Sequence, residues 1–268
     1  MIDIHHHLLF GLDDGAPDLE TSLAMVEMAQ QDGITHIICT PHANGHYVFS
    51  PEENAARLAE IETHYRKRAG ASITFGLGCD FHLSYDNIED ALQHPTRYTL
   101  NAKNYLLVEF PDFAIPQNMA QVFYEMLLRG ITPILTHPER NITLVREPER
   151  MKEWIRMGCR VQVTAGSVMG RFGKAAQRSA EQLLRNRWVH FLATDAHDVT
   201  RRPPLLREAY EVVARTQGQD CAERLCVTNP RAAFYGEPLP EQPEPIGLFE
   251  EVAGKRGFLE RIFPLRKS

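Results

Sequence analysis

The 268-residue chain carries a net charge of −6, with 43% hydrophobic and 24% charged residues, the balance of a globular protein with a sizeable core. No apolar run approaches the roughly 18–20 residues of a membrane-crossing helix, no basic-then-apolar leader opens the chain, and the acidic balance argues against non-specific nucleic-acid binding. Five scattered cysteines (Cys39, Cys79, Cys159, Cys221, Cys226) without CxxC spacing exclude a disulfide framework and a thiolate zinc site and favour a cytoplasmic protein.

The first predicted strand, Met1–Ile4, runs into His5, His6 and His7. A purification tag would be longer and flanked by polar residues; these histidines lie between Ile2, Ile4 and Leu8, Leu9, Phe10, so they belong to a buried element. Helical spacing follows over Leu19–Gln31, then a strand over Thr35–Cys39. Ser50 is a natural N-cap before Pro51, opening a helix predicted over Pro51–Ala69. Strands are predicted over Ile73–Gly78 and Tyr105–Phe110. A helix over Gln117–Arg129 stops at Gly130, a C-cap glycine. Thr132–Leu135, Arg160–Thr164 and His190–Thr194 complete the strands, and Pro148–Met157, Lys174–Arg187 and Pro204–Thr216 the helices. Strict alternation of strand and helix implies parallel strands joined by crossover helices. At this length a barrel or near-barrel is expected, with an open doubly wound sheet as the alternative.

The end of the chain has another character. Residues 1–236 read as the barrel domain and 237–268 as an appendage. The stretch Gly236–Pro245 is proline-rich, a linker composition, and Leu248, Phe249, Val252, Leu259, Ile262 and Phe263 then recur at roughly helical spacing among basic residues. A helix packed on the domain or on a neighbouring subunit is the plain reading. A helix that docks on a membrane surface or a partner is the sharper one.

Active sites of parallel α/β barrels lie at the carboxyl ends of the strands, so residue types at those ends carry the functional argument. His5, His7, Asp13 and Asp14 follow the first strand, His42 the second, Asp80 the third; Glu109 ends the fourth, His137 follows the fifth, and Asp195 and His197 follow the seventh. The sixth, running into Thr164-Ala165-Gly166-Ser167, is the exception. In an extended His-x-His both imidazoles face one side, because side chains alternate with period two; Asp195-Ala196-His197 works the same way. Singly, each such residue is more often a cap or a satisfied polar group. Nine of these residues, all but Asp13, aimed at one mouth would instead repel and resist desolvation unless cations intervened. Imidazoles mixed with carboxylates favour Mn²⁺, Fe²⁺ or Zn²⁺, and nine ligands suffice for two or three ions. Clustered divalent cations activate water and clamp phosphoryl oxygens. Arg140, three residues after His137, and Arg202, five after His197, add the planar guanidinium fork that suits phosphate.

With these residues in view, the segments MIDIHHHLLFGLDDGAPD, IICTPHA, YLLVEFP, ILTHPERN and LATDAHDVTRRPP resemble the polymerase-and-histidinol-phosphatase (PHP) superfamily. Within it the chain resembles the manganese-dependent protein-tyrosine phosphatases of bacterial capsule and exopolysaccharide operons, from Met1 to about Phe234. The resemblance implies a distorted seven-stranded (β/α) barrel with three metal ions, manganese foremost and iron or zinc as alternatives. By motif, His5, His7, Asp80 and Asp195 would hold the first ion, Asp80, Glu109 and His137 the second, and Asp14, His42 and His197 the third. Arg140 and Arg202 would grip the phosphate, and Asp14 would pass a proton to the leaving phenolate. Where the family usually has Glu this chain has Asp80, one methylene shorter, and His6 is expected to point away from the metals.

The implied substrate is phosphotyrosine on a protein, typically the tyrosine-rich tail of a bacterial tyrosine autokinase governing polysaccharide export. None of the five cysteines begins a C-x5-R motif, so attack by cation-activated water fits and a phosphocysteine does not. Two alternatives stand beside this reading: a small-molecule phosphatase acting on histidinol phosphate or a nucleotide, and a non-catalytic, metal-stabilised docking partner of a kinase. No nucleic-acid partner is expected, and membrane contact only through the tail.

Overall fold

A computed structural model describes residues 1–249, except 69, 84 and 112–114. Among the described residues there are nine parallel strands: β1 (Ile2–His6), β2 (His36–Cys39), β3 (His42–Ala43), β4 (Thr74–Leu77), β5 (Asp80–His82), β6 (Tyr105–Glu109), β7 (Thr132–Thr136), β8 (Arg160–Thr164) and β9 (Phe191–Ala193). Helices α1 (Leu19–Asp32), α2 (Pro51–Tyr65), α3 (Tyr85–Gln93), α4 (Met119–Leu128), α5 (Ile142–Arg146) and α6 (Arg150–Met157) fall between them; α7 (Ala165–Val168) and α8 (Gly173–Arg185) precede β9, and α9 (Arg207–Gln217), α10 (Gln219–Glu223) and α11 (Asn229–Tyr235) follow it.

Helix boundaries follow local chemistry. Asp18 caps α1 by accepting from Thr21 N–H at 2.8 Å, and Gly33 ends it at φ 91°, where a side chain would be strained. Ser50 caps α2 by accepting from Glu53 N–H, with Pro51 in the first turn, as its sequence predicts.

The strands form a three-stranded sheet, β1-β2-β4, and a six-stranded one, β3-β5-β6-β7-β8-β9. The sequence pattern did not show β3 and β5. Each continues its predecessor after a short break: Thr40-Pro41 separates β2 from β3, and Gly78-Cys79 separates β4 from β5. Pro41 has no N–H to give a ladder, yet its carbonyl accepts from Asp80 N–H at 3.1 Å, and that of Cys39 from Gly78 N–H at 2.9 Å. The far edges meet through one bridge, His6 with Ala196. The described residues therefore form no closed sheet; the expected seven-stranded barrel is represented by two parallel sheets joined at these seams.

One buried cluster lies between helices and strands; a second, with Ile2, Ile4, Leu107, Ile134, Phe191 and α11's Phe234, fills the space the sheets enclose. The β1–β2 register shifts between Asp3 and His6. Ile4 therefore packs in the second cluster while its neighbour His5 reaches Gln162 of β8, at 3.0 Å.

The proline-rich stretch 237–245 is tied to the domain. Gln242 exchanges hydrogen bonds with Asn229, Trp188 Nε1–H donates to the Ile246 carbonyl at 2.9 Å, and Leu248 is buried. The tail positions Val252, Leu259, Ile262 and Phe263 lie outside the described residues.

Candidate metal centre

Parallel strands point their carboxyl ends one way, and there the predicted ligands converge. From the three-stranded sheet, β1 carries His5 and, just beyond its end, His7, with Nε2 atoms 3.2 Å apart. Opposite, His42 opens β3, Asp80 opens β5 and Glu109 ends β6. Asp80 Oδ2 lies 3.4 Å from His5 Nε2 and 3.2 Å from His42 Nδ1, which is 3.5 Å from Glu109 Oε2. Glu109 Oε1 lies 3.5 Å from His137 Nε2, beyond β7. Asp14 Oδ1 lies between His42 Nε2 at 3.3 Å and His197 Nε2 at 3.4 Å. Asp195 Oδ1 faces His5 and His7, while Oδ2 accepts from both Arg140 and Arg202.

All nine predicted ligand residues and both arginines therefore gather at one place. Three overlapping sets bring their donor atoms close enough to share an ion: His7, Asp14, His42 and His197; His5, His7 and Asp80; and His42, Asp80 and Glu109. His7 and His42 are thus shared between sets, unlike the division drawn from resemblance. His137 and Asp195 hold positive φ, 34° and 53°, a conformation side chains tolerate where surroundings impose it, often at functional sites.

The donor set tests whether cations fit. Both oxygens of Asp80, His42 Nδ1 and His197 Nε2 are buried without a hydrogen-bond partner, an arrangement costly unless an ion satisfies them. Burial pushes Glu109 up, to about 8, and the charges of Asp80 and Asp195 push the same way. Burial opposes ionisation of Asp80 too, but the adjacent His5 and His42 hold it well below the usual carboxylate range. This is an acidic pocket short of positive charge, which divalent ions would supply. Nitrogen and oxygen donors without thiolate suit borderline and hard ions.

Several supporting residues were given no role from the sequence, Asp13 among them although it was noted at the end of the first strand. Asp13 Oδ2 lies 2.7 Å from His7 Nδ1, and it also accepts from His42 N–H; Oδ1 accepts from Gly15 N–H. It thereby turns His7 Nε2 toward the cluster. Gly15 has no space for a side chain, since a Cβ there would lie 2.3 Å from the His7 carbonyl oxygen. Gln162 orients His5 in the same way, from the strand whose end seemed empty; its signal was a polar side chain amid Val161 and Val163. Glu139 is buried and accepts from Ser167 Oγ–H and Thr164 N–H, fixing the turn that carries Arg140. Tyr47 stacks on His42 at 5.9 Å. His6 takes no part: its ring is buried with neither nitrogen hydrogen-bonded.

All four fully or largely buried cysteines have thiols pushed up by burial, Cys159 to about 12, and no thiol belongs to the cluster's donor sets.

The sequence matches the family described as capsular polysaccharide synthesis, CpsB/CapC, over residues 1–235. It is 32% identical to the putative tyrosine-protein phosphatase CapC of Staphylococcus aureus, over 78% of this chain and 82% of that one. It is 34% identical to the tyrosine-protein phosphatase YwqE of Bacillus subtilis, over 82% and 86%. The structure resembles one from a study of YwqE from Bacillus subtilis and CpsB from Streptococcus pneumoniae, described as metal-dependent tyrosine phosphatases, with TM-score 0.85, 31% identity and coverage of 92% and 99%. A phosphotriesterase homology protein from Escherichia coli shares the fold at TM-score 0.57 and 11% identity.

Proposed function

The chain belongs to the CpsB/CapC family of capsular polysaccharide synthesis, and from that premise we propose that it is a metal-dependent protein-tyrosine phosphatase acting on a bacterial tyrosine autokinase. The observation that carries this reading is the meeting of Arg140 and Arg202 at Asp195 Oδ2, beside donor groups able to hold cations. A phosphoryl group needs positive charge on several oxygens at once, and the two guanidiniums together with bound cations would supply it here.

His5, His7, Asp14, His42, Asp80, Glu109, His137, Asp195 and His197 would hold divalent ions, which we take as three, manganese foremost and iron or zinc as alternatives. Bound there, such ions supply Lewis acidity and an activated water. The chain's own residues do the rest. Arg140 and Arg202 exchange Asp195 for phosphate oxygens and orient the ester. Asp13 and Gln162 keep His7 and His5 turned inward. Asp14, half-exposed at the rim and held ionised by His197 and His42, would take a proton from water and relay it to the departing phenolate oxygen. We take the fold as a distorted seven-stranded barrel, with residues 1–236 as the catalytic unit and 237–268 as its appendage.

Comparing turnover of a phosphotyrosine peptide with that of histidinol phosphate, with Mn²⁺ present, tests the reading. Faster hydrolysis of the peptide is expected. Faster hydrolysis of histidinol phosphate would replace the proposal with a small-molecule phosphatase.

A further inference from the structure

Arg140 stands between two cavities. The smaller, about 90 Å³, is lined by Glu109, His137 and Asn141 and opens on the metal centre. The larger, about 440 Å³, lies on Arg140's other side, walled by Ile142, Val145, Phe172, Ala175 and Ala176, with Arg146 at its edge. Its walls are apolar and its shape is built in. The Arg140 guanidinium lies over the Phe172 ring, 4.3 Å from its centre. A Cβ on Gly166 would come within 2.8 Å of that ring, so the absent side chain is what seats Phe172. Glu139 also lines the cavity; Ser167 and Thr164 engage its Oε1, while its Oε2 is buried without a hydrogen-bond partner among the described residues. Ile142 is 48% exposed, a large apolar side chain left at the mouth.

We propose, resting on the phosphatase reading, that this cavity is a substrate subsite for an apolar side chain next to the phosphotyrosine of an acidic peptide. If Arg140 holds phosphate from the metal side, what lies beyond it is the remainder of the substrate. Charge selects the kind of peptide: Arg140 and Arg146 give the cavity a basic edge on a chain of net charge −6, which complements carboxylates flanking an apolar residue. A small aryl phosphate presents neither feature. Ile142, Val145 and Ala175 are thus specificity-determining positions.

The test uses the 268-residue chain with Mn²⁺ and acidic phosphotyrosine peptides differing only in leucine or serine beside the phosphotyrosine, one pair varied on each side. Binding of the matching phosphonate peptides is measured by fluorescence anisotropy. At one of the two sides, leucine is expected to improve kcat/KM about tenfold through KM, as filling an apolar pocket does, with a parallel gain in Kd. Ala175→Trp, which fills the cavity from an exposed position, removes the preference, and Arg146→Glu weakens every acidic peptide. Hydrolysis of a small aryl phosphate stays unchanged in both variants. Equal treatment of leucine and serine peptides, or a preference that survives Ala175→Trp, overturns the subsite. Loss of aryl phosphate turnover in Ala175→Trp, with the variant folded by circular dichroism, assigns the cavity to the phenyl ring and also overturns it. Aryl phosphate turnover without turnover of any phosphopeptide overturns the protein-phosphatase reading itself, and the subsite with it.

Discussion

Arg140 donates to Oδ2 of Asp195, the oxygen that Arg202 also holds, while Oδ1 faces His5 and His7. One buried carboxylate therefore joins the imidazole cluster to both guanidiniums. Replacing either arginine by alanine is expected to lower kcat/KM on an aryl phosphate about 10²-fold, the usual cost of a lost transition-state donor, and to weaken competitive inhibition by inorganic phosphate. Lysine should restore only part, since it lacks the planar fork. Phosphate inhibition unchanged in both alanine variants would detach the arginines from the phosphoryl group.

Asp13 fixes His7 from behind the cluster at 2.7 Å. Its replacement by asparagine is expected to lower divalent-ion affinity about 10–100-fold, as loss of such an orienting group does. Calorimetric titration of the chelator-stripped protein with Mn²⁺ measures this, and wild-type affinity in Asp13→Asn would refute it.

Cysteine chemistry is predicted to be irrelevant to turnover. Cys39 and Cys79 are buried, with thiols held protonated by desolvation, and a protonated thiol is a poor nucleophile. Cys39→Ser should keep kcat within about threefold, a difference of well under 1 kcal/mol in barrier, and iodoacetamide should not inactivate the native enzyme. A folded but inactive Cys39→Ser would contradict the mechanism.

His190 gives a pH dependence remote from the metal centre, just before β9. Burial, aided by the charge of Arg160, depresses its pKa from 6.5 to about 3, and Val161 N–H donates to its Nδ1 at 3.1 Å. A depressed folded-state pKa means that the unfolded chain takes up the proton more readily. The neutral ring's contribution is therefore complete above pH 6.5 and lost as pH falls toward 3. Between pH 7 and 5 the loss should be about 2 kcal/mol. Urea unfolding of wild type and His190→Gln at both values isolates it; parallel losses in the two proteins would assign the pH sensitivity to other groups.

The sequence carried the site further than the fold. Strand ends can be found from β-rich runs, and side chains such as His137 and Asp195 are recognisable there because ligand types are rare in apolar surroundings. The strand Arg160–Thr164 was read to its exact residues, whereas β3 and β5 were not: two or three residues are too few to show period two, and both follow a break that ends the visible run. What Asp13 and Gln162 do escaped for a different reason. Their role is to face another side chain across the molecule, and adjacency of that kind leaves no local spacing. The register shift in β1 is likewise a property of pairing and not of the strand's own pattern.

The two-sheet arrangement gives the cluster a second consequence. His5 comes from the three-stranded sheet, whereas His42, Asp80 and Glu109 come from the six-stranded one, so ions held among them would rivet one sheet to the other across the interruption at Pro41 and Gly78. Loading is then a mechanical event as well as a chemical one. Stripping the ions should speed amide hydrogen exchange first at Thr40, Gly78 and Asp80, whose N–H groups donate to His6, Cys39 and Pro41 beside that break, while the amides of β7 and β8 keep their protection.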